Sequence, residues 1–135
     1  CTGGLLAHRL TNIAGSSAYF LCGVVTYSNE SKERILGIDS GIIAAHGAVS
    51  AETAAAMAEG IRKISGCDVG ISTTGIAGPG GAAPDKPVGL MYTGYADGRK
   101  TETKKLHFAE DRTINKSRMA QAALDMLRQH LERRT

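Results

Sequence analysis

Paired glycines set directly against an apolar-periodic helix constrain this chain more than any other feature. Cys1-Thr2-Gly3-Gly4 runs straight into Leu5-Leu6-Ala7-His8-Arg9-Leu10, and Leu5, Leu6, Leu10 and Ile13 recur at helical spacing. A small residue and two glycines at a helix N-terminus leave backbone N–H groups free to gather an anion or an oxyanion. Such a turn belongs at the end of a strand. The pattern therefore predicts a strand-turn-helix unit whose strand precedes Cys1, with the helix spanning residues 4–13.

Downstream, strand and helix signals alternate. Residues 19–27 read as a buried strand in which Leu21, Val24 and Val25 carry the apolar weight. Ser28 can cap a helix that runs through Leu36 and stops at Gly37. Asp39 caps a short helical turn ending at His46-Gly47, and Ser50 opens an alanine-rich helix that ends near Gly66. Residues 68–74 form a second strand, followed by the glycine-rich stretch Gly75-Ile76-Ala77-Gly78-Pro79-Gly80-Gly81, which reads as an exposed loop off the core. Asp97-Gly98 between two alternating runs is a strong hairpin signal, joining strands over residues 88–95 and 100–108. Asp111 caps a long last helix with Ile114, Met119, Ala122, Ala123, Met126, Leu127 and Leu131 inward. This order predicts one α/β domain over residues 1–135, a three-layer α/β/α arrangement on a mixed sheet that includes a C-terminal β-hairpin.

Composition narrows the function. Glycine supplies 17 of 135 residues, nearly twice the usual share of about 7%. Turns and close backbone approaches of that density favour a small-molecule site. With four Tyr, two Phe and no Trp, the chain has little to stack bases on. Its net charge of +3 is dispersed apart from Arg128, Arg133 and Arg134, so no direct nucleic-acid partner is expected. Cys1, Cys22 and Cys67 are odd in number and lack metal-ligand spacing, which fits reduced thiols and a cytoplasmic location. No apolar run approaches the length of a membrane span. His46 ends a predicted helical turn, where it suits the dipole, and neither His107 nor His130 has a cysteine or acid at metal spacing, so neither a metal nor a cofactor is expected.

Three clusters can carry chemistry. Gly75 to Gly81 follows a strand but matches neither the G-x-x-x-x-G-K-[ST] nor the G-x-G-x-x-G spacing. It is a loop that can bring Gly75 and Gly78 close to a ligand, or simply a turn. Thr26-Tyr27-Ser28-Asn29-Glu30-Ser31-Lys32 lies where a strand gives way to a helix, gathering Tyr27, Asn29 and Lys32 near one terminus. A lysine becomes a general base when burial or a cationic neighbour depresses its pKa; Lys32 also suits a solvated charge paired with Glu30 or Glu33. Arg112, with Lys116 and Arg118, opens the last helix against its dipole, a local cost that makes sense if Arg112 grips an anion.

The runs C-T-G-G-L, I-A-G-S-S-A-Y-F, G-V-V-T-Y-S-N-E-S-K, H-G-A-V-S, T-G-I-A-G-P-G-G and K-P-V-G-L, in this order, resemble the C-terminal domain of the CinA competence/damage-inducible proteins. Stand-alone versions of that domain are nicotinamide-nucleotide amidases of the PncC type. The resemblance implies an α/β/α fold and hydrolysis of nicotinamide mononucleotide to nicotinate mononucleotide and ammonia, without a metal, by a serine nucleophile assisted by a lysine and a tyrosine. The Tyr-Ser-Asn-Glu-x-Lys motif maps those helpers onto Tyr27 and Lys32. The family's Glu-Ser-Cys-Thr-Gly-Gly motif puts the serine immediately before Cys1, so the resemblance implies a longer polypeptide in which a helix and strand precede this segment. In that setting Thr2, Gly3 and Gly4 would offer N–H groups to the oxyanion. Gly75, Gly78, Asn29 and Arg112 would contact a small-molecule nucleotide, and a homo-oligomer is expected.

Two other classes remain open on the sequence. Cys1, with its own α-amino group as base, has the form of an N-terminal nucleophile amidohydrolase. A competence-associated domain can instead act as a protein-interaction module without catalysis.

Overall fold

The computed structural model describes residues 1–134. The chain folds in the order α1 (Leu5–Thr11), a 3-10 turn (Ser16–Ala18), α2 (Asn29–Leu36), α3 (Ser40–His46), α4 (Ala51–Ser65), β1 (Gly70–Gly75), β2 (Leu90–Ala96), β3 (Thr101–His107) and α5 (Arg112–Glu132). The capping residues behave as the sequence requires. The side chains of Ser28, Asp39, Ser50 and Asp111 each accept a backbone N–H from the first turn of the helix they precede. Gly37 and Gly66 end α2 and α4 in the left-handed conformation.

Three strands form one sheet in the order β1-β2-β3. Gly70 pairs with Ala96 and Gly75 with Met91; Leu90 pairs with His107 and Ala96 with Thr101. The hairpin turn is fastened by Asp97, whose Oδ1 accepts the N–H groups of Arg99 and Lys100 at 2.7 and 2.9 Å. Strand alternation gives the sheet two apolar faces. On one, Ser72 Oγ donates to the Ala54 carbonyl at 2.6 Å and Thr74 Oγ1 to the Ala48 carbonyl at 2.6 Å, which seats α4 and the segment that leads into it. On the other, the Tyr95 ring lies 4.0 Å from that of His130 on α5, and α1 packs on α5. Helices thus cover both faces of the sheet, as an α/β/α fold requires. Leu36, Ile38 and Ile43 cluster with Ile61 of α4, and this apolar contact holds α2 and α3.

Several expectations need correction. All pairing among the described strands is antiparallel, so the mixed sheet is absent among the described residues. Residues 19–27 do not form a paired strand: after the 3-10 turn they lack regular secondary structure, and Leu21, Val24 and Val25 are exposed. Apolar alternation encodes a face to be buried, not the neighbour that supplies hydrogen bonds, and a cleft separates this segment from β1. α1 is shorter than expected and leaves Ile13 exposed; Ile114 and Leu131 are likewise exposed on α5, whereas Met119, Ala123 and Met126 are buried. The glycine-rich loop is not wholly off the core. Ala77 and Gly78 are buried, and a Cβ on Gly78, whose φ is +87°, would collide with Val88 Cγ1. Any side chain there strains the fold as well as the loop. Among the described residues no helix is long and apolar enough to cross a membrane.

α4 also comes close to the sheet at Gly94, where an added Cβ would run into the Ala54 carbonyl oxygen and lie 2.6 Å from Ser72 Oγ. Because the obstacle is backbone, it cannot swing aside. Gly94→Ala should therefore lower the unfolding free energy by roughly 1–3 kcal/mol, as overpacking does, measured by denaturant titration. A change below about 0.5 kcal/mol, the scale of a neutral surface substitution, would mean that α4 stands further from the sheet.

Candidate active site

The site begins at the Thr2–Gly4 turn. Gly3 and Gly4 have φ of +63° and +94°, a backbone that side chains resist, and they turn the chain sharply into α1. The N–H groups of Thr2, Gly3 and Gly4 donate to no backbone carbonyl among the described residues. Thr2 is buried, and its Oγ1 lies 3.0 Å from Thr73 Oγ1 on β1. That contact anchors the turn to the sheet.

A cleft of about 750 Å³ opens between this turn, β1 and residues 18–27; Tyr27, Lys32, Gly75 and Arg112 also line it. Lys32 is the decisive member. It sits in the first turns of α2, which the Ser28 cap fixes, and only 6% of its surface is exposed. Its Nζ donates to the Thr26 carbonyl at 2.7 Å and to the Tyr27 carbonyl at 3.4 Å. No carboxylate pairs with it among the described residues; Glu30 lies near Arg34 instead. Burial holds its pKa below the ordinary lysine value, because a desolvated ammonium is costly. The solvated-charge reading of Lys32 is thereby corrected: the short main-chain bonds turn the amine inward.

Positive charge converges on the turn. The positive charges of Lys32, Lys116 and Arg112 are all felt at Cys1. Lys116 Nζ reaches within 3.4 Å of where a Gly3 side chain would begin. Arg112 Nη1 donates to the Gly78 carbonyl at 2.7 Å, and Nη2 donates to Tyr27 Oη at 3.2 Å. Neither cation has an acidic partner among the described residues. Three cations around free backbone donors form a site that attracts an anion or stabilises developing negative charge. The buried Thr26 Oγ1, without a hydrogen-bond partner among the described residues, is a further unmet polar group beside Lys32.

Not every expected residue gathers here. Thr2, Gly3, Gly4, Tyr27, Lys32, Gly75 and Arg112 line the one cleft. Gly78 joins only through its carbonyl, and Asn29 lies exposed at the start of α2, away from the cleft walls. Tyr27 presents its phenol to Arg112; the Lys32 amine meets Tyr27 only at its carbonyl, not at the phenol. Sequence reasoning missed Thr26 and Thr73, whose roles depend on tertiary neighbours. Among the described residues no group of three or more His, Cys, Asp or Glu side chains could hold a metal.

Residues 1–131 match the CinA C-terminal domain. The chain belongs to that family. A "CinA-like protein" of Salinibacter ruber is 52% identical over 130 residues, covering 96% of this chain and 32% of the relative. A "putative competence-damage inducible protein" of Caldanaerobacter subterraneus is 52% identical over 134 residues, again covering 32% of the relative. The chain thus spans about a third of the length of these curated relatives. Among solved structures, competence damage-inducible protein A of Klebsiella pneumoniae superposes with a TM-score of 0.94 at 35% identity, over 98% of this chain and 82% of that one. A competence/damage inducible protein of Agrobacterium tumefaciens gives 0.91 at 40% identity, over 94% and 78%. The CinA fold thus accounts for the α/β/α arrangement, while the chemistry has to be argued from the cleft.

Burying an unpaired ammonium opposes folding, so Lys32 should weaken the domain it serves. Its folded pKa lies below its unfolded value; the unfolded chain binds more protons, and stability should rise with pH through that interval. Lys32→Met should therefore raise the thermal midpoint at pH 7, by about 3–6 °C for roughly 1 kcal/mol. The difference should shrink as pH approaches the ordinary lysine value of about 10.4. A midpoint that falls at pH 7 would show that the two carbonyl bonds outweigh desolvation.

Proposed function

We infer that the domain is an amidohydrolase that cleaves the carboxamide of nicotinamide mononucleotide, yielding nicotinate mononucleotide and ammonia. The observation that carries this reading is the buried Lys32 amine, held on the Thr26 carbonyl beside a turn of unoccupied backbone donors. A lysine with a depressed pKa can take a proton from a hydroxyl near neutral pH. The family resemblance supplies that hydroxyl as a serine immediately ahead of Cys1.

The chemistry then follows from the positions of the groups. The serine oxygen attacks the carboxamide carbon while neutral Lys32 accepts its proton. The carbonyl oxygen becomes an oxyanion facing the N–H groups of the Thr2–Gly4 turn, in a field made positive by Lys116 and Arg112. Collapse of the tetrahedral intermediate breaks the C–N bond. The protonated lysine returns its proton to the departing nitrogen, which leaves as ammonia. Water, deprotonated by the same amine, hydrolyses the acyl-enzyme and releases nicotinate mononucleotide and the free serine. Tyr27 orients Arg112 through its phenol. Arg112 retains donors beyond the two in use, and these suit the substrate phosphate, with Gly75 lining the same wall.

Two substitutions test the assignment in the longer polypeptide that includes the residue ahead of Cys1, with ammonia release as the readout. Lys32→Ala should cut kcat/KM by about 10²-fold or more, the range for loss of a general base; a near-normal rate would remove Lys32 from the mechanism. Arg112→Ala should raise KM for the nucleotide by about 10-fold or more with little change in kcat, as for uniform loss of a charged hydrogen bond. Nicotinamide riboside, which lacks the phosphate, should be turned over alike by both proteins. Equal losses on both substrates would make Arg112 structural.

A further inference from the structure

We propose that Asn115 is a positioning residue, one that clamps the glycine-rich loop to the start of α5 and thereby aims the Arg112 guanidinium at the cleft. This rests on the reading of Arg112 as the substrate's phosphate contact. Asn115 sits one helical turn after Arg112, so both side chains project from the same face of α5. It is fully buried, and its carboxamide is engaged at both ends. Nδ2 donates to the Ala77 carbonyl at 3.0 Å and to the Glu110 carbonyl at 2.9 Å, while Oδ1 accepts the Glu110 N–H at 3.2 Å. Arg112 takes the next loop carbonyl, Gly78, at 2.7 Å.

Two consecutive loop carbonyls are therefore held by an i, i+3 pair from one helix. The two grips differ in kind. The Asn115 bond to Ala77 is closed off from water, its bonds to Glu110 are part-buried, and together they saturate both donors of the amide. Arg112 is exposed, and its guanidinium must leave donors for a ligand. A guanidinium anchored by one part-buried and one exposed bond would sample many rotamers if the loop carbonyl were free to move. With Ala77 pinned by Asn115, Gly78 presents its carbonyl at a fixed place, and Arg112 inherits that register. The loop continues to β2 through reciprocal bonds, Ile76 N–H to the Leu90 carbonyl at 2.9 Å and Gly89 N–H to the Ile76 carbonyl at 2.7 Å. The clamp thus ties α5 to the sheet at the point where the cleft needs its cation.

Removing the two donors while keeping the shape is the direct test. Asn115→Asp sets a carboxylate against two carbonyls, and Asn115→Leu keeps the volume without polarity, so that one variant survives if the other fails to fold. In the full-length protein, KM for nicotinamide mononucleotide should rise about 10-fold with kcat within about 3-fold. In an Arg112→Ala background the same substitution should raise KM by less than about 2-fold, because Asn115 acts through Arg112. Equal, multiplying penalties in both backgrounds would overturn the proposal. A second readout needs no turnover: in ¹⁵N spectra the Arg112 Nη groups should rotate slowly in the wild type and average in the variants. Unchanged Arg112 signals would refute the clamp even if KM moved. If the wild type releases no ammonia, the amidase reading fails, and these signals alone decide the role of Asn115.

Discussion

The cleft depends on one buried amine. Lys32 gives up most of its hydration and recovers only two main-chain hydrogen bonds, an exchange that a protein keeps where a depressed pKa is useful. To hold the amine there, α2 must start at Ser28 and pack on α4 through Leu36, and the backbone at Thr26 and Tyr27 must present its carbonyls inward. The Thr2–Thr73 contact brings the turn and its free N–H groups to the same cleft. Base and anion donors therefore come from separate parts of the chain, joined through the sheet.

Charge reinforces this arrangement. Arg112 and Lys116 flank the turn without a carboxylate partner among the described residues, and their repulsion is relieved when an anion enters. The glycine-rich loop contributes carbonyls rather than amides: Ala77 and Gly78 accept from Asn115 and Arg112. It acts as a mount for a cation more than as a cradle for phosphate. This inverts the usual expectation for glycine-rich strand-end loops, in which backbone N–H groups meet the ligand.

Much of the fold could be read from local chemistry. Ser28, Asp39, Ser50 and Asp111 cap the helices assigned to them, Gly37 and Gly66 end theirs, and Asp97-Gly98 makes the hairpin, because each feature is decided within a few residues. Residues 19–27 misled because their apolar pattern says nothing about a pairing neighbour. The site was legible only in part. Tyr27, Lys32, the Thr2–Gly4 turn and Arg112 could be named, but locally Lys32 looks like any helix charge, and its burial is set by contacts the sequence does not display. Asn115 was invisible for the same reason. An asparagine in a first helical turn ordinarily faces water, and only the neighbouring Ala77 carbonyl gives it a task.

A desolvated Lys32 amine is available as a base only if its titration is depressed. Site-resolved NMR titration of the Lys32 ¹⁵Nζ, assigned by comparison with Lys32→Met, measures this directly. The Lys32 midpoint should lie clearly below the ordinary lysine value of about 10.4. A Lys32 midpoint at or above that value would contradict the claim and return this residue to the role of a structural cation.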